Sequence, residues 1–410
     1  MEDIIAGVDL GSSKFLVLIG ETSPDGNLNI VGVGESHIPG AVQRGSIMNM
    51  EKAEEALRTA IYNAEKMAQM RVRSIVVGIG GDHLRSYRSR GVVPIADKEK
   101  GVTRLELESA FKAAQALPLT SDTEIVDSSV QEFIIDGQGG IMDPIGMFGT
   151  RMELELLLIL GFAPSLKNIR RLIERNKLKL ENLIVNIIAA GEAVLTPAEK
   201  ELGVMLIDMG AQTTSIGVWR ENKLIDLSVL GYGGELVTRD ISAALHLPME
   251  EAEKIKVNYG KALASIVDTQ KQIEVLGLGG RESRLLPEKL LAEVIEARLD
   301  ELLSIIRTHL KESPYWGKLS GGVVLTGGGC QMPGMVELTE RVMGLATRIG
   351  IPAAQGLGTE LLRSPAHATA LGILISYLRK TAERDKLFAS KKEKKSSLWE
   401  NIKRLFLKVI

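Results

Sequence analysis

The alternation of apolar and polar positions repeats one unit twice, far apart in the chain. Val8-Asp9-Leu10-Gly11-Ser12-Ser13-Lys14 and Ile207-Asp208-Met209-Gly210-Ala211-Gln212-Thr213-Thr214 each end an apolar strand with Asp-x-Gly and turn through small polar residues. A second apolar strand follows in both, Phe15 to Gly20 and Ser215 to Trp219, then a polar turn (Pro24-Asp25-Gly26-Asn27; Glu221-Asn222-Lys223) and a third strand. After the first unit, apolar spacing predicts a helix from Glu51 to Met70 and a strand from Val72 to Ile79 that ends at Gly80-Gly81. The pattern then departs. From Leu84 to about Ala163 it predicts a strand near Gly91 to Ile95, a helix opened by the capping box Thr103-x-x-Glu106, and strands near Glu124 to Ile135 and Arg151 to Leu160. This reads as an inserted subdomain. A helix from Ser165 to Lys177, after Pro164, and a strand from Leu183 to Ile188 resume the first half, and the second unit starts near Gly203.

Beyond the second unit the spacing predicts helices from Gly234 to Leu245 and from Met249 to about Tyr259, then a hairpin through Gly277-Leu278-Gly279-Gly280. No strand-to-helix transition with a Lys follows those glycines, so they read as a turn. A long helix runs from Pro287 to Lys311, and Gly322 to Leu325 forms a short buried strand. The loop Thr326-Gly327-Gly328-Gly329 and a helix opening at Pro333-Gly334-Met335 complete this half.

A tight turn of Gly, Ser and Thr frees backbone N–H groups to point at phosphate oxygens, and an Asp at the strand end can hold Mg²⁺ through water. One Asp-x-Gly is an ordinary β-turn. Two in matching context predict two lobes closing on one nucleotide. Consecutive glycines at 327 to 329 permit close backbone approach to a flat ligand, which suits a nucleoside.

Composition narrows the classes. With 410 residues, 45% of them hydrophobic, the chain can bury a large core. A net charge of −2 and only 4% aromatic residues give neither a basic field nor stacking platforms, which argues against nucleic acid as a partner. The single Cys330 excludes a disulfide framework and a thiolate zinc site, and His37, His83, His246, His309 and His367 lack ligand spacing. The N-terminus Met1-Glu2-Asp3 is acidic where a signal peptide would be basic, and no apolar run approaches the roughly 20 residues that span a bilayer. The expected compartment is the cytosol.

Two phosphate turns and a Thr-Gly-Gly loop in this order resemble the superfamily of actin, Hsp70 and the sugar kinases, an α/β fold with ATP between two ribonuclease H-like lobes. Finer motifs resemble the FtsA family of bacterial division proteins over nearly the whole chain. They are Gly34-Glu35-Ser36 through Gly45-Ser46-Ile47, Ala64-Glu65-Lys66-Met67-Ala68, Ser74 to Gly81, and above all Asp143-Pro144-Ile145-Gly146-Met147-Phe148-Gly149-Thr150-Arg151-Met152-Glu153. The resemblance implies subdomain 1A over 1–84, 164–191 and 365–383, a relocated subdomain 1C over 85–163, subdomain 2A over 192–231 and 318–364, and subdomain 2B over 232–317. By the same resemblance Gly11, Ser12, Ser13 and Lys14 would contact phosphates, and Asp9 and Asp208 would face Mg²⁺. Gly210, Ala211, Gln212, Thr213 and Thr214, with Gly233 and Gly234, would form the second phosphate site. Glu253 and Lys256 would reach the ribose and base, with Gly327, Gly328, Gly329 and Met332 on the other face. Without the family, Glu253 and Lys256 read equally well as a solvated i, i+3 pair.

There is a departure. Where the family often has Gly-Gly-Gly-Thr-Thr-Asp, this chain has Gly210-Ala211-Gln212-Thr213-Thr214-Ser215. Nucleotide binding survives that change on this reading, because the Asp and both Thr remain. Hydrolysis needs an oriented water in line with the γ-phosphate, and either Glu192 or Gln212 is the candidate to hold it. The expectation is an ATP-binding protein that is at most a slow ATPase.

The chain ends differently. From Arg379 to Ser397 it carries eight Lys/Arg against three acids, a composition that cannot bury a core. The segment 384–397 therefore reads as a basic linker. Over 398–410, Leu398, Trp399, Ile402, Leu405, Phe406, Val409 and Ile410 fall on one face at helical spacing, with Glu400, Asn401, Lys403, Arg404 and Lys408 opposite. Such a helix is too short to cross a bilayer and suits the headgroup plane of an anionic inner membrane. The family implies a self-associating adaptor that anchors the tubulin-like division GTPase FtsZ to that membrane, docked through 232–317, and works with other divisome proteins. The alternatives are a pilus-assembly actin homologue, which lacks a terminal lipid-binding helix, and a small-molecule kinase of the same superfamily, which needs a carboxylate base beside the acceptor hydroxyl.

Overall fold

A computed structural model describes residues 4–22, 28–96, 99–275, 283–353, 355–356 and 362–389. Residues 390–397 of the expected basic linker and the amphipathic segment 398–410 lie outside the described residues, as does the turn Gly277 to Gly280, whereas 384–389, expected as linker, continue the last helix.

The first lobe is built on β1 (Ile4–Leu10), β2 (Phe15–Thr22), β3 (Leu28–Ser36), β6 (Ser74–Ile79), β11 (Lys179–Val185) and β19 (Gln355–Gly356), in the sheet order β11-β6-β1-β2-β3-β19. β1, β2 and β3 form an antiparallel meander, and β6 and β11 add parallel to β1. Between β3 and β6 run the two-residue strands β4 (Val42–Gln43) and β5 (Ser46–Ile47) and the helix α1 (Met50–Ala68). The strand residues alternate between two cores. Ala6, Val8, Phe15, Val17 and Ile19 meet Ala53, Leu57 and Ala60 of α1. Ile5, Leu16 and Leu18 face the opposite side, against Ala370, Leu371 and Leu374 of the last helix. A strand buried on both faces needs apolar residues at every position, which is why these segments read as continuous apolar runs.

The second lobe repeats the plan. Its strands β12 (Val204–Met209), β13 (Thr214–Arg220), β14 (Lys223–Leu230), β17 (Val323–Thr326) and β18 (Thr347–Ile349) lie in the order β14-β13-β12-β17-β18. Read from the other edge this is the first sheet again, with a meander of three and two parallel additions. Between β14 and β17 come α6 (Gly234–Leu245), α7 (Met249–Tyr259), the hairpin β15 (Gln272–Val275) and β16 (Arg284–Pro287), and α8 (Glu288–Glu312). The helix α9 (Met335–Met343) joins β17 to β18.

The insertion follows β6. Its sheet, in the order β7-β10-β8-β9, comprises β7 (Arg85–Pro94), β8 (Thr123–Ile135), β9 (Gln138–Ile141) and β10 (Arg151–Phe162), all antiparallel. One helix, α2 (Arg104–Gln115), packs Leu107, Ala110, Phe111 and Ala114 on it, and both hydrogen bonds of the Thr103–Glu106 capping box form. The chain returns through α3 (Ala163–Arg175) to β11. There the structure departs from expectation. The strand ends at Val185, and Asn186 opens the helix α4 (Asn186–Val194), followed by α5 (Pro197–Leu202), capped by Thr196. The last helix, α10 (Ala368–Ala389), returns to the first lobe. The architecture is the two-lobed, duplicated α/β fold with an inserted subdomain.

Candidate functional site

The duplication brings equivalent residues face to face. Asp9 lies near the end of β1 and Asp208 near the end of β12, paired in register with Leu16 and Ser215 respectively. The Asp9 carboxyl is pushed up to about 7, by burial first and the charge of Asp208 second, while Lys14 works in the other direction. Asp208 is pushed up to about 6 by burial, opposed by the hydroxyl of Thr369, which donates to its Oδ2 at 3.0 Å. Two carboxylates withdrawn from water beside each other favour a proton or a cation between them. Among the described residues no group of three or more His, Cys, Asp or Glu could hold a metal. A carboxylate pair by itself suits a hydrated Mg²⁺ whose other ligands are phosphate oxygens and water.

The turns flank this pair. Gly11 to Lys14 connects β1 to β2; Lys14 Nζ lies 3.2 Å from Glu35 Oε1 and 3.3 Å from His367 Nε2. In the second turn Gly210 N–H donates to Thr213 C=O at 2.9 Å. The start of α6 folds onto that turn, with Gly234 N–H donating to Gly210 C=O at 2.9 Å and Glu235 N–H to Ala211 C=O at 2.7 Å. Thr214, expected among the phosphate residues, is fully buried and donates its hydroxyl to Tyr232 C=O at 2.8 Å, tying down the strap before Gly233.

The Thr326 to Gly329 loop closes the third side. Gly327 adopts φ +85°, and a Cβ there would lie 2.4 Å from Asp208 Oδ1 and 2.5 Å from Met209 C=O, so only glycine lets the loop sit against the aspartate. A Cβ at Gly328 would meet nothing within 4 Å. Thr326 donates to the carbonyls of Gly350 and Pro365. Cys330 Sγ lies 3.1 Å from Gly327 C=O, and burial pushes its thiol up to about 12, which leaves it unreactive.

Of the pair Glu253 and Lys256, the glutamate is exposed and the lysine is not. The Lys256 side chain is only 12% exposed, and its Nζ donates to Gly234 C=O at 3.0 Å, Thr238 Oγ1 at 2.8 Å and Glu253 Oε2 at 2.7 Å. It thus fastens α7 to the first turn of α6, beside the second phosphate turn. At the other end of α7, Gly260 lies against Met332 Cε, and Ala262 N–H donates to Pro333 C=O at 2.9 Å. The helices and the glycine loop meet there.

The two candidates for holding a water are both engaged. Glu192 is paired with Lys200 at 3.0 Å and Arg379 at 2.5 Å, joining α4, α5 and α10. Gln212 accepts from Arg44 N–H at 3.0 Å and donates to Glu235. Sequence reasoning missed Glu35, Arg44, Glu235, His367 and Thr369. Glu235 directly follows the expected Gly233 and Gly234, while the other four reach the site from other segments and no local spacing announces them.

Comparisons with known proteins bear on the family and the fold. The family model described as "Cell division protein FtsA" matches residues 205–372, and that of the "SHS2 domain inserted in FTSA" matches residues 81–160. Among solved structures, a chain of the PilM–PilN type IV pilus biogenesis complex has a TM-score of 0.65 at 16% identity, covering 92% of this chain and 99% of that one. MreB5 of Spiroplasma citri bound to AMPPNP gives 0.58 at 12% identity, covering 94% and 99%. These likenesses establish the actin-like fold. Cell division protein FtsA of Neisseria meningitidis serogroup B is 38% identical over 371 residues, 90% of this chain and 89% of that protein. FtsA of Escherichia coli K12 is 35% identical over 378 residues, 90% of this chain and 89% of that protein. FtsA of Borreliella burgdorferi is 32% identical over 409 residues, 99% of this chain and 98% of its own. With relatives this similar over nearly its full length, the chain belongs to the FtsA family of cell division proteins.

Proposed function

We propose that this protein binds Mg-ATP between its lobes, self-associates, and tethers the tubulin-like division GTPase FtsZ to the cytoplasmic face of the cell membrane at the septum, where the Z ring assembles and recruits other divisome proteins. The observation that carries the nucleotide part is that both Asp-x-Gly turns and the Thr326 to Gly329 loop come together around Asp208, whose charge acts on Asp9 and whose Oδ1 would lie 2.4 Å from a Cβ at Gly327. Asp9 and Asp208 hold hydrated Mg²⁺. Gly11 to Lys14 and Gly210 to Thr214 cradle phosphates, with Gly233 and Gly234 behind them. Glu253 and Lys256 face the ribose and base, with Gly327 to Gly329 and Met332 opposite.

A ligand that touches both lobes binds their closed arrangement better than the open one, and that difference is what shifts the population. The engaged states of Glu192 and Gln212 favour ATP as a conformational ligand with slow turnover at most. The GTPase docks on the α6 to α8 region, residues 232–317, as the family implies. No helix among the described residues is long and apolar enough to cross a membrane. Attachment rests on the sequence pattern of 398–410, whose large apolar residues contribute at most roughly 1.5–3 kcal/mol each on burial, with about 1 kcal/mol per nearby Lys or Arg on an anionic leaflet.

Titration of Mg-ATP into the wild-type protein and Asp208→Ala tests the site. The variant is expected to bind at least about tenfold more weakly, the loss of one charge-assisted contact to a buried cation. Equal affinity would move the nucleotide elsewhere.

A further inference from the structure

We propose that Gln212 is a latch that holds the phosphate end of the cleft shut and sets the rate at which nucleotide leaves. This rests on the nucleotide reading above.

The hairpin of β4 and β5 projects from the first lobe, and its tip is Arg44-Gly45. Arg44 has φ +47° and Gly45 φ +82°, the left-handed conformations of a tight two-residue turn. The tip is seated firmly on its own lobe. A Cβ at Gly45 would lie 1.9 Å from Gly80 C=O and 2.6 Å from the Gly81 Cα, so the hairpin backbone rests directly on the end of β6. From that seat Arg44 N–H crosses to the second lobe and donates to Gln212 Oε1 at 3.0 Å. The Arg44 side chain reaches the same lobe again, because a Cβ at Gly231 would lie 3.4 Å from both its Cδ and its Nη1.

The orientation of the Gln212 amide follows from its partners. Glu235 accepts from Gln212 Nε2 and from Arg239. Burial works against its charge, yet the hydrogen bonds from Gln212 and Arg239 hold its carboxyl below the usual range, so it stays an acceptor. The Gln212 NH₂ must then face Glu235, which leaves Oε1 for Arg44 N–H. Glu235 in turn is fixed by its own N–H on Ala211 C=O at 2.7 Å. The amide is thus pre-aimed across the cleft. Glycine at 212, which the related motif often carries there, offers no side chain for this contact.

Gln212 occupies the turn between Gly210 and Thr213, and the contact closes over that turn from the first lobe. Opening the lobes must break it. Since a typical net hydrogen bond is worth about 0.5–1.5 kcal/mol, its loss should speed opening by roughly two- to tenfold.

The test is stopped-flow release of a fluorescent ATP analogue from wild type, Gln212→Ala, Gly45→Ala and Asp208→Ala. Gln212→Ala should release nucleotide about two- to tenfold faster. Gly45→Ala lifts the hairpin from its seat without touching Gln212, and should accelerate release likewise, which a direct Gln212–phosphate contact would not explain. The melting temperature of nucleotide-free Gln212→Ala separates latch from scaffold. A lowered melting temperature with wild-type release overturns the latch, as does wild-type release in both hairpin and Gln212 variants while Asp208→Ala still binds weakly. Undiminished affinity in Asp208→Ala overturns the nucleotide reading, and the latch with it.

Discussion

Burial first, and then the charge of Asp208 across the interface between the two lobes, raises the pKa of Asp9. Asp9 ordinarily titrates at 3.8 and in the fold at about 7, and Asp208 moves from 3.8 to about 6. Between these limits the folded protein holds protons that the unfolded chain has released. The contribution of this pair to the stability of the nucleotide-free protein therefore falls as pH rises from about 4 to 7. Calorimetry without divalent cation should show it as a difference: wild type loses melting temperature relative to Asp9→Asn across that window, and added Mg²⁺ should reduce the loss by replacing the protons. Parallel melting profiles of the two proteins from about pH 4.5 to 7.5 would contradict the raised value of Asp9.

Adjacent glycines of the third loop should respond differently to the same substitution. Gly327→Ala forces a Cβ to within 2.4 Å of Asp208 Oδ1 at φ +85°. It should cost roughly 1–3 kcal/mol of stability and weaken nucleotide binding. Gly328→Ala meets no protein atom within 4 Å, so its stability should stay within about 0.5 kcal/mol of wild type. Its affinity for ATP should nonetheless fall, because the methyl enters space left to the ligand. Denaturant titration and ATP titration of both variants decide this, and a Gly328→Ala protein with full affinity would place the base elsewhere.

The local signals were legible in the sequence. Both Asp-x-Gly turns, the meanders behind them, α1, α2 with its capping box and the Thr326 to Gly329 loop follow from spacing within a dozen residues. What the sequence hid is of two kinds. Ile187 and Ile188 prolong the apolar run of β11, and a short apolar run carries no period that separates strand from helix, so the predicted strand extends to Ile188, over the first turn of α4. The other kind is distance. Lys14 meets His367 353 positions away, Arg44 meets Gln212 168 away, and Thr369 meets Asp208 161 away. Likewise Glu253 and Lys256 look like any exposed i, i+3 pair until α6 packs against them and buries the lysine.

The inserted subdomain is covalently part of the first lobe, yet its side chains cover the edge strand of the second. Gln131 Nε2 donates to Leu224 C=O at 3.0 Å, Arg88 Nη2 to Ile225 C=O at 3.0 Å, and Ser86 Oγ to Leu227 C=O at 2.8 Å, all on β14. Arg88 also donates to the Tyr315 hydroxyl, the contact that a Tyr315→Phe change removes, and stacks 5.7 Å above the Tyr315 ring. Arg88→Ala should destabilise the protein by about 1–3 kcal/mol, the cost of leaving a partly buried acceptor unpaired together with a lost charged hydrogen bond. In a double-mutant cycle with Tyr315→Phe the two losses should fall short of additive, since the residues share one contact. Additive losses in urea denaturation would mean that they act separately.

Attachment to lipid can be separated from nucleotide binding, because the sequence puts the two in different parts of the chain. The residues of the proposed site all precede Lys380, while the apolar stripe from Leu398 to Ile410 follows a run rich in Lys and Arg. Deleting 398–410 removes the seven large apolar side chains of the stripe, with Leu407 besides, and should abolish flotation with vesicles containing anionic phospholipid, while Mg-ATP affinity stays at the wild-type value. Phe406→Asp is the finer probe. It replaces one burying side chain by a charge that anionic headgroups repel, and should weaken vesicle binding by at least about tenfold, since the apolar loss alone is worth roughly 1.5–3 kcal/mol. Raising the salt concentration should weaken what remains, because the basic residues act through a screened attraction. Undiminished flotation of the deletion variant would assign membrane contact to the folded lobes instead of the tail.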